Sequence, residues 1–191
     1  MFEALKRKES TLHPKSIIFI DGENIVQRFQ SMVAEGKNPK NDVTHQEDEI
    51  LWHPQISKVT GCHIKRVGYY TTKSGDNNAI LELSNQISDI RFDHPVGFGT
   101  LNPHVFHKAR RGQKTKSVDI NIVTDLLRHT YNQSVEHIFL LSGDGDYIPT
   151  ISECMRQGIH VSVGAFSSGL NPNLQSTVDE FFDLDGMFFD N

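Results

Sequence analysis

The chain has 191 residues, of which 37% are hydrophobic and 23% are charged, values typical of a single globular domain. Its formal net charge of −5 argues against a protein that coats nucleic acid without specificity. No apolar run is long enough for a membrane helix, and Cys62 and Cys154 cannot build a disulfide framework. The charged segment 1–15 lacks the apolar core of a signal peptide, so a cytoplasmic protein is expected.

In the first half of the chain, short apolar runs alternate with segments of helical spacing. The predicted elements are a strand at 16–20, a helix at 25–34, a helix at 47–52, a strand at 66–72, a helix at 78–88 and a strand at 90–95. The polar segment 36–61 is otherwise irregular.

The second half opens with a segment rich in glycine and basic residues, 96–115, which predicts a mobile loop. It is followed by a helix at 118–131, a strand at 137–141, a helix at 147–157, a strand at 159–164 and a helix at 174–182. This alternation predicts one α/β domain at 16–184 around a mainly parallel sheet, with tails at 1–15 and 185–191.

Acidic residues follow two of the predicted strands. Asp21 comes directly after Ile20, and Ser142-Gly143-Asp144-Gly145-Asp146 comes directly after Leu141. Both strands are wholly apolar, as central parallel strands are, so we expect them to be neighbours in the sheet. Sites in such sheets form beyond the carboxyl ends of the strands, where these aspartates would meet.

Asp119 is a fourth aspartate that helical geometry directs toward this site. On a helix that begins near Val118, Asp119 falls within the apolar face, whereas Asp125 falls on the face expected to meet solvent. An ionised carboxylate on a buried face costs several kcal/mol without a partner. In the first turn, however, it can point over the edge of the sheet. The helix dipole is an alternative reason for an acid there.

Aspartate oxygens without a cysteine or histidine motif are ligands suited to Mg²⁺ or Mn²⁺. Such an ion can activate a water molecule and neutralise charge on a phosphodiester. Asn24 and Ser142 could ligate or orient water. Each aspartate also has a structural explanation: Asp21 and Asp144 could form turns, and Asp146 could cap a helix by accepting from the N–H of Ile148.

A basic segment immediately precedes Asp119. No acidic residue occurs from Pro95 to Val118, and the segment carries five cations: Lys108, Arg110, Arg111, Lys114 and Lys116. This pattern favours contact with a nucleic-acid backbone, although a solvated surface loop would look the same.

Four stretches together resemble a known family: SIIFIDGENI, KSVDINIVTDLL, HIFLLSGDGDYIPTI and GIHVSVG. In order and spacing they are similar to the NYN domain of LabA/DUF88-type proteins, a branch of the PIN-like nucleases. The resemblance implies a three-layer PIN-like Rossmannoid fold and metal-dependent cleavage of RNA, single-stranded RNA being the expected substrate. It places the acidic site of the family on Asp21, Asp119, Asp144 and Asp146, with Asn24 and Ser142 as auxiliary residues.

Other functions fit less well. A phosphatase of the haloacid-dehalogenase type needs an aspartate two residues after Asp21, where this chain has Glu23. A dinucleotide site at Gly143 and Gly145 would lack its third glycine and would set aspartates against a pyrophosphate. Histidines at 94, 104 and 107 are more simply explained as solvated loop residues than as zinc ligands. The main alternative is a non-catalytic module of the same fold that binds RNA or protein.

Overall fold

The computed structural model describes residues 13–108 and 116–190. The strands are β1 (Lys15–Asp21), β2 (Thr44–Gln46), β3 (Ile50–Trp52), β4 (His63–Lys73), β5 (Arg91–His94), β6 (Gly97–His107), β7 (His137–Leu141), β8 (His160–Ala165) and β9 (Glu180–Asp183). The helices are α1 (Gly22–Ala34), α2 (Asn77–Asp89), α3 (Ser117–Tyr131), α4 (Ile148–Arg156), α5 (Pro172–Thr177) and α6 (Asp185–Phe188).

Seven of these strands form one mostly parallel sheet in the order β5-β6-β4-β1-β7-β8-β9. Only β5 runs antiparallel to its neighbour, and β2 pairs with β3 in a separate hairpin. The chain builds outward from β1 through β4 to β6, then returns to the other side of β1 with β7. The carboxyl ends of β1 and β7 therefore form the topological switch point of the sheet. Ile20 pairs with Leu141, which confirms that these strands are neighbours.

Helices cover both faces of the sheet and give the molecule the predicted three layers. One apolar cluster lies between the sheet and helices α1 and α2, and includes Ile18, Phe29 and Leu83. A second cluster lies between the sheet and helices α3 and α4, and includes Phe19 and Ile122. Alternate residues of β1 point to opposite faces, so both clusters draw on the same strand. The α/β fold class is confirmed.

The prediction of a loop at 96–115 is wrong for most of that segment, because β6 occupies residues 97–107. Two of the glycines that suggested a loop, Gly97 and Gly99, are part of the strand, and the end of the predicted loop, 109–115, lies outside the described residues. A Cβ on Gly99 would lie 2.7 Å from Cζ of Phe92, so glycine makes room for the ring of the neighbouring strand β5. From Leu101 onward β6 pairs in parallel with β4.

The outer edge of β6 lacks a paired strand along 102–107 in the described part of the chain. The N–H of Leu101 donates to the carbonyl of Ile90 on the β5 side. Backbone nitrogens of successive strand residues face opposite edges of the strand, so the nitrogen of Pro103, two residues after Leu101, faces the same outer side.

Two predicted helices are also wrong. The segment 47–52 forms a turn and β3, with Asp48 at a positive φ of 60° that a helix does not permit. The helix predicted at 174–182 ends at Thr177, and β9 follows because 180–183 pairs with β8.

The residues expected to form a C-terminal tail pack into the core as far as they are described. Phe188 and Phe189 are buried beside Phe29 of α1, and α6 begins at Asp185. Among the described residues, no helix is both long and apolar enough to cross a membrane.

Candidate acidic site

Asp21 is the last residue of β1, and its carboxylate is buried among neutral hydrogen-bond donors. Oδ1 accepts from the backbone N–H of Asn24 at 3.1 Å. Oδ2 accepts from the hydroxyl groups of Ser142 at 3.0 Å and Tyr147 at 3.2 Å. Burial raises the pKa of Asp21 to about 7, and the Asp119 carboxylate adds to the rise while the hydrogen bonds oppose it. A negative charge at this position is therefore costly unless a cation compensates it.

Asn24 and Ser142 connect Asp21 to the residues that follow β7. The side-chain carbonyl of Asn24 accepts from the N–H of Gly143 at 3.0 Å. The Ser142 hydroxyl donates to Asp21 and accepts from the N–H of Asp144 at 3.2 Å. These bonds fix the end of β7 against the start of α1. Both residues act here through hydrogen bonds that position the acidic side chains.

Asp144 forms the local cap that the sequence suggested for Asp146. Its Oδ1 accepts from the N–H of Asp146 at 2.9 Å and begins the 3₁₀ turn Gly145–Tyr147. Helix α4 follows with no side-chain cap. Asp144 is half-buried and Asp146 is exposed. The Asp146 carboxylate can therefore turn toward the other acids without disturbing a helix cap.

Tyr147 joins two of the aspartates, and sequence reasoning did not identify it. Its buried hydroxyl lies 3.2 Å from Oδ2 of Asp21 and 3.3 Å from Oδ1 of Asp119, so it donates to this carboxylate pair. Burial, followed by the charges of the two aspartates, holds the pKa of Tyr147 far above its usual range. A tyrosine beside an aspartate-rich turn carries no periodic signal, so only the three-dimensional structure exposes this contact.

Asp119 lies in the first turn of α3, and its Oδ1 accepts from the hydroxyl of Tyr147 at 3.3 Å. Partial burial raises its pKa, and the nearby carboxylates of Asp144, Glu23 and Asp146 raise it further, against the Tyr147 hydrogen bond. Asp144 and Asp146 are thus close enough to act on Asp119 electrostatically. The four aspartates and Glu23 lie at one edge of the sheet, which concentrates negative charge there.

Glu23 is the second residue that sequence reasoning missed, although its position two residues after Asp21 was a signal. Its Oε1 accepts from the hydroxyl of Thr72 at 2.5 Å and from the ammonium of Lys108 at 2.7 Å. Glu23 is therefore neutralised locally. No cation of the described segments pairs with Asp21, Asp119 or Asp144.

The donor set suits a hard divalent cation, because it consists of carboxylate, amide and hydroxyl oxygens. The uncompensated burial of Asp21 is the observation that fits such an ion best. Within residues 13–108 and 116–190, however, no three histidine, cysteine, aspartate or glutamate side chains are grouped closely enough to hold a metal. A shared metal site on Asp21, Asp119, Asp144 and Asp146 therefore stays a prediction.

The basic segment is only partly described. Lys108 forms an ion pair with Glu23 and is largely shielded from solvent, so its charge is already paired. Lys116 is exposed just before α3. Arg110, Arg111 and Lys114 lie outside the described residues.

Asp125 does not face solvent as the helical pattern predicted. Only 15% of its side chain is exposed, and it accepts from the hydroxyl of Tyr70 at 2.8 Å as well as pairing with Arg128. Helical spacing could not foresee this, because the tyrosine comes from β4. Among the described residues, the hydrogen-bond partners of Asp125 are Tyr70 and Arg128, so it contributes to a polar cluster separate from the four aspartates.

The mostly parallel sheet with helices on both faces defines a three-layer α/β protein. The chain matches the NYN domain over residues 15–185, and it belongs to that family. The NYN domain belongs to the PIN-like nuclease superfamily, whose members generally act on RNA and typically use divalent metals.

One solved structure shows the same fold at low sequence identity. A protein of unknown function from Vibrio parahaemolyticus aligns with a TM-score of 0.59 and 18% identity, covering 93% of this chain and 96% of that one. No curated protein matches the chain. The likeness to the Vibrio protein supports the fold alone.

Proposed function

We propose that this protein is a metal-dependent ribonuclease of the LabA/DUF88 type, which hydrolyses phosphodiester bonds in single-stranded RNA. The observation that carries the proposal is the convergence of the Asp21 and Asp119 carboxylates on the Tyr147 hydroxyl, without a cationic partner in the described segments. Two acids held together at a cost to stability favour a ligand role over a purely structural one.

Asp21, Asp119, Asp144 and Asp146 would hold Mg²⁺ or Mn²⁺. The bound ion would activate a water molecule and offset the charge that develops on the phosphodiester. The buried Asp21 and the half-buried Asp119 would supply the fixed part of this site. Asp144 and the exposed Asp146 would supply the part that adjusts when the ion and the substrate bind.

Asn24 and Ser142 would keep the acids in register. Asn24 holds the Gly143 backbone, and Ser142 bonds to both Asp21 and Asp144.

Exposed cations would contact the RNA backbone. Of the five in the basic segment, Lys116 is exposed in the structure, Lys108 would first have to leave Glu23, and Arg110, Arg111 and Lys114 complete the proposed contact.

The decisive variant is Asp144→Asn, which keeps the size of the side chain but removes its charge. We expect RNA cleavage to fall by orders of magnitude, because charge supplied to the ion and the transition state is lost. Wild type should melt at a higher temperature with Mn²⁺ than with EDTA, and the variant should lose that increment. Asp89→Asn is the matched control, since Asp89 is exposed at the end of α2.

A non-catalytic module that binds RNA or protein is the alternative. It is favoured by the absence, in the described segments, of three acids grouped as an ion would require. If wild type gains no stability from Mn²⁺ and cleaves none of a varied set of RNAs, the nuclease proposal fails and this alternative replaces it.

A further inference from the structure

A small polar cavity lies on the same face of the sheet as the acidic site, between α3 and strands β1, β4 and β6. Its volume is about 90 Å³. The polar side chains that line it are Arg66, Tyr70, His104, Asp125, Arg128 and His129. We call it the Arg66 pocket. None of its polar residues belongs to the proposed acidic site.

A β-bulge places Arg66 in this pocket. Ser16 pairs with Ile64, but the next residue, Ile17, pairs with Arg66, so Lys65 is the extra residue of β4. Ile64 points into the cluster beneath α1 and α2. In a regular strand Arg66, two residues later, would point to that same apolar side. The bulge turns Arg66 to the α3 face instead, and bulges commonly re-aim a side chain beside a functional site.

Arg66 is exposed to solvent and is the cation of the pocket that has no partner among the described residues. It forms no ion pair or hydrogen bond with any described residue, whereas Arg128 pairs with Asp125. The Tyr70 hydroxyl donates to the same Asp125 carboxylate at 2.8 Å. The negative charge of Asp125 is thus already satisfied by two partners. The charge of Arg66 remains available to a ligand.

The two histidines of the pocket contribute polar ring atoms without charge. Burial lowers the pKa of both His104 and His129, so each ring is neutral at physiological pH. The ring of His104 is stacked on Tyr70, with centroids 4.2 Å apart and an interplanar angle of 6°. Asn102 contacts its Nε2 at 2.8 Å. If the Asn102 amide donates there, the hydrogen of the neutral ring lies on Nδ1, which can donate to an anion.

We infer that the Arg66 pocket binds a phosphate group, and that this phosphate belongs to an RNA strand whose scissile bond lies at the acidic site. At about 90 Å³ the pocket is small, which suits a phosphate group better than a nucleoside. An arginine guanidinium is the side chain best matched to phosphate oxygens. The second half of the inference rests on the proposed function.

The two sites share helix α3, which sets their separation. Asp119 lies in its first turn and Arg128 lies nine residues later, a rise of about 13 Å along the helix axis. Stacked nucleotides rise about 3.4 Å each, so a strand that reaches both sites spans roughly four nucleotides. An oligonucleotide of two nucleotides is too short to reach the pocket from the acidic site.

The test compares Arg66→Gln with Lys65→Gln in RNA binding, measured with EDTA present so that no cleavage occurs. Both changes remove one positive charge from adjacent residues of β4, but the Lys65 ammonium points to the carbonyl of Ser134. Arg66→Gln should weaken the affinity for a fluorescent eight-nucleotide RNA several-fold. It should also reduce the slope of log K against log salt by about 0.7, the amount for one phosphate contact on a single strand.

Lys65→Gln should leave the affinity and the slope unchanged. Thermal melts of both variants would confirm that each is folded. Equal effects of the two substitutions, or no effect of either, would overturn the inference. The effect of Arg66→Gln should also vanish with a dinucleotide, and persistence there would overturn the assigned path of the strand.

Inorganic phosphate distinguishes a free anion from RNA. If phosphate stabilises wild type but not Arg66→Gln while RNA binding is the same in both, the pocket serves a free anion and the RNA inference is wrong. RNA binding is measured here without metal and without cleavage. Failure of the phosphate-pocket inference is therefore distinguishable from failure of the nuclease proposal, which Asp144→Asn tests separately.

Discussion

Asp21 is a buried carboxylate that has no cationic partner in the described part of the chain. Three neutral donors satisfy its hydrogen bonds, yet none offsets the charge itself. Buried charges usually have ionic partners or coordinate metals. Without a bound cation, folding therefore carries an electrostatic cost at Asp21, and binding a cation would remove that cost.

That cost predicts a pH dependence of stability without metal. The pKa of Asp21 is about 7 in the folded protein, against about 3.9 in an unfolded chain. At a pH between about 4 and about 7, the folded state therefore keeps the Asp21 proton that the unfolded state has lost. This contribution to stability is complete below about pH 4 and is lost as the pH rises through about 7.

Asp21→Asn should remove this dependence. In EDTA, the melting temperature of the variant minus that of wild type should be larger at about pH 8 than at about pH 5. Taking the difference between the two proteins cancels most other titrating groups. A difference that is the same at both pH values would show that Asp21 does not titrate as stated.

Tyr147→Phe should weaken Mn²⁺ binding while leaving the protein folded. The variant lacks the hydroxyl that holds the Asp21 and Asp119 carboxylates in one arrangement. Each pre-organised side chain that becomes mobile adds about 0.5–1.5 kcal/mol to the cost of binding. Titration calorimetry with Mn²⁺ measures the change directly.

Tyr131→Phe is the matched control for that variant, because Tyr131 is exposed and its hydroxyl donates to Glu153, outside the site. In an Asp119→Asn background, Tyr147→Phe should have a smaller effect, since one of its two partners has changed. If Tyr147→Phe binds Mn²⁺ with the affinity of wild type, the role of Tyr147 is limited to packing.

At the scale of secondary-structure elements, the junction of β1 and α1 depends on the absence of a side chain at Gly22. A Cβ there would lie 2.6 Å from Cε1 of Tyr69 and 2.9 Å from the backbone oxygen of Tyr70. The oxygen belongs to a strand and cannot move aside cheaply. The close approach of this junction to β4 therefore sets the position of Asp21.

Gly22→Ala should destabilise the protein by about 1–3 kcal/mol, the usual cost of overpacking. Gly186→Ala is the control, because no atom lies within 4 Å of the added Cβ in α6. Urea denaturation of both variants measures the difference. Comparable stabilities would mean that the junction adjusts without cost.

Local patterns in the sequence predicted some elements well and others poorly. Periodicity located α3 and the apolar strand β7, because each has a strong and uninterrupted signal. It missed β6, where Gly99 and Pro103 are typical of loops but are accommodated by a neighbouring ring and a free edge. It also missed β9, whose pairing with β8 overrides a helical pattern.

At the scale of the whole molecule, alternation and strand ends were sufficient to predict the sheet and the edge that holds the aspartates. They could not show that Tyr147 bridges Asp21 and Asp119, that Glu23 pairs with Lys108, or that Asp125 meets Tyr70. Each of these contacts joins residues far apart in the chain. Only the packing of helices on the sheet brings them together.

The outer edge of β6 along 102–107, with which no described strand pairs, affects how the molecule behaves at high concentration. An exposed strand edge can recruit the same edge of another copy and start aggregation. Pro103 has no N–H, and its nitrogen faces outward, so an incoming strand would lack a hydrogen bond at the centre of this edge. Pro103→Val should therefore leave the fold intact but cause concentration-dependent association in analytical ultracentrifugation. Pro103 would then be the residue that keeps the molecules apart.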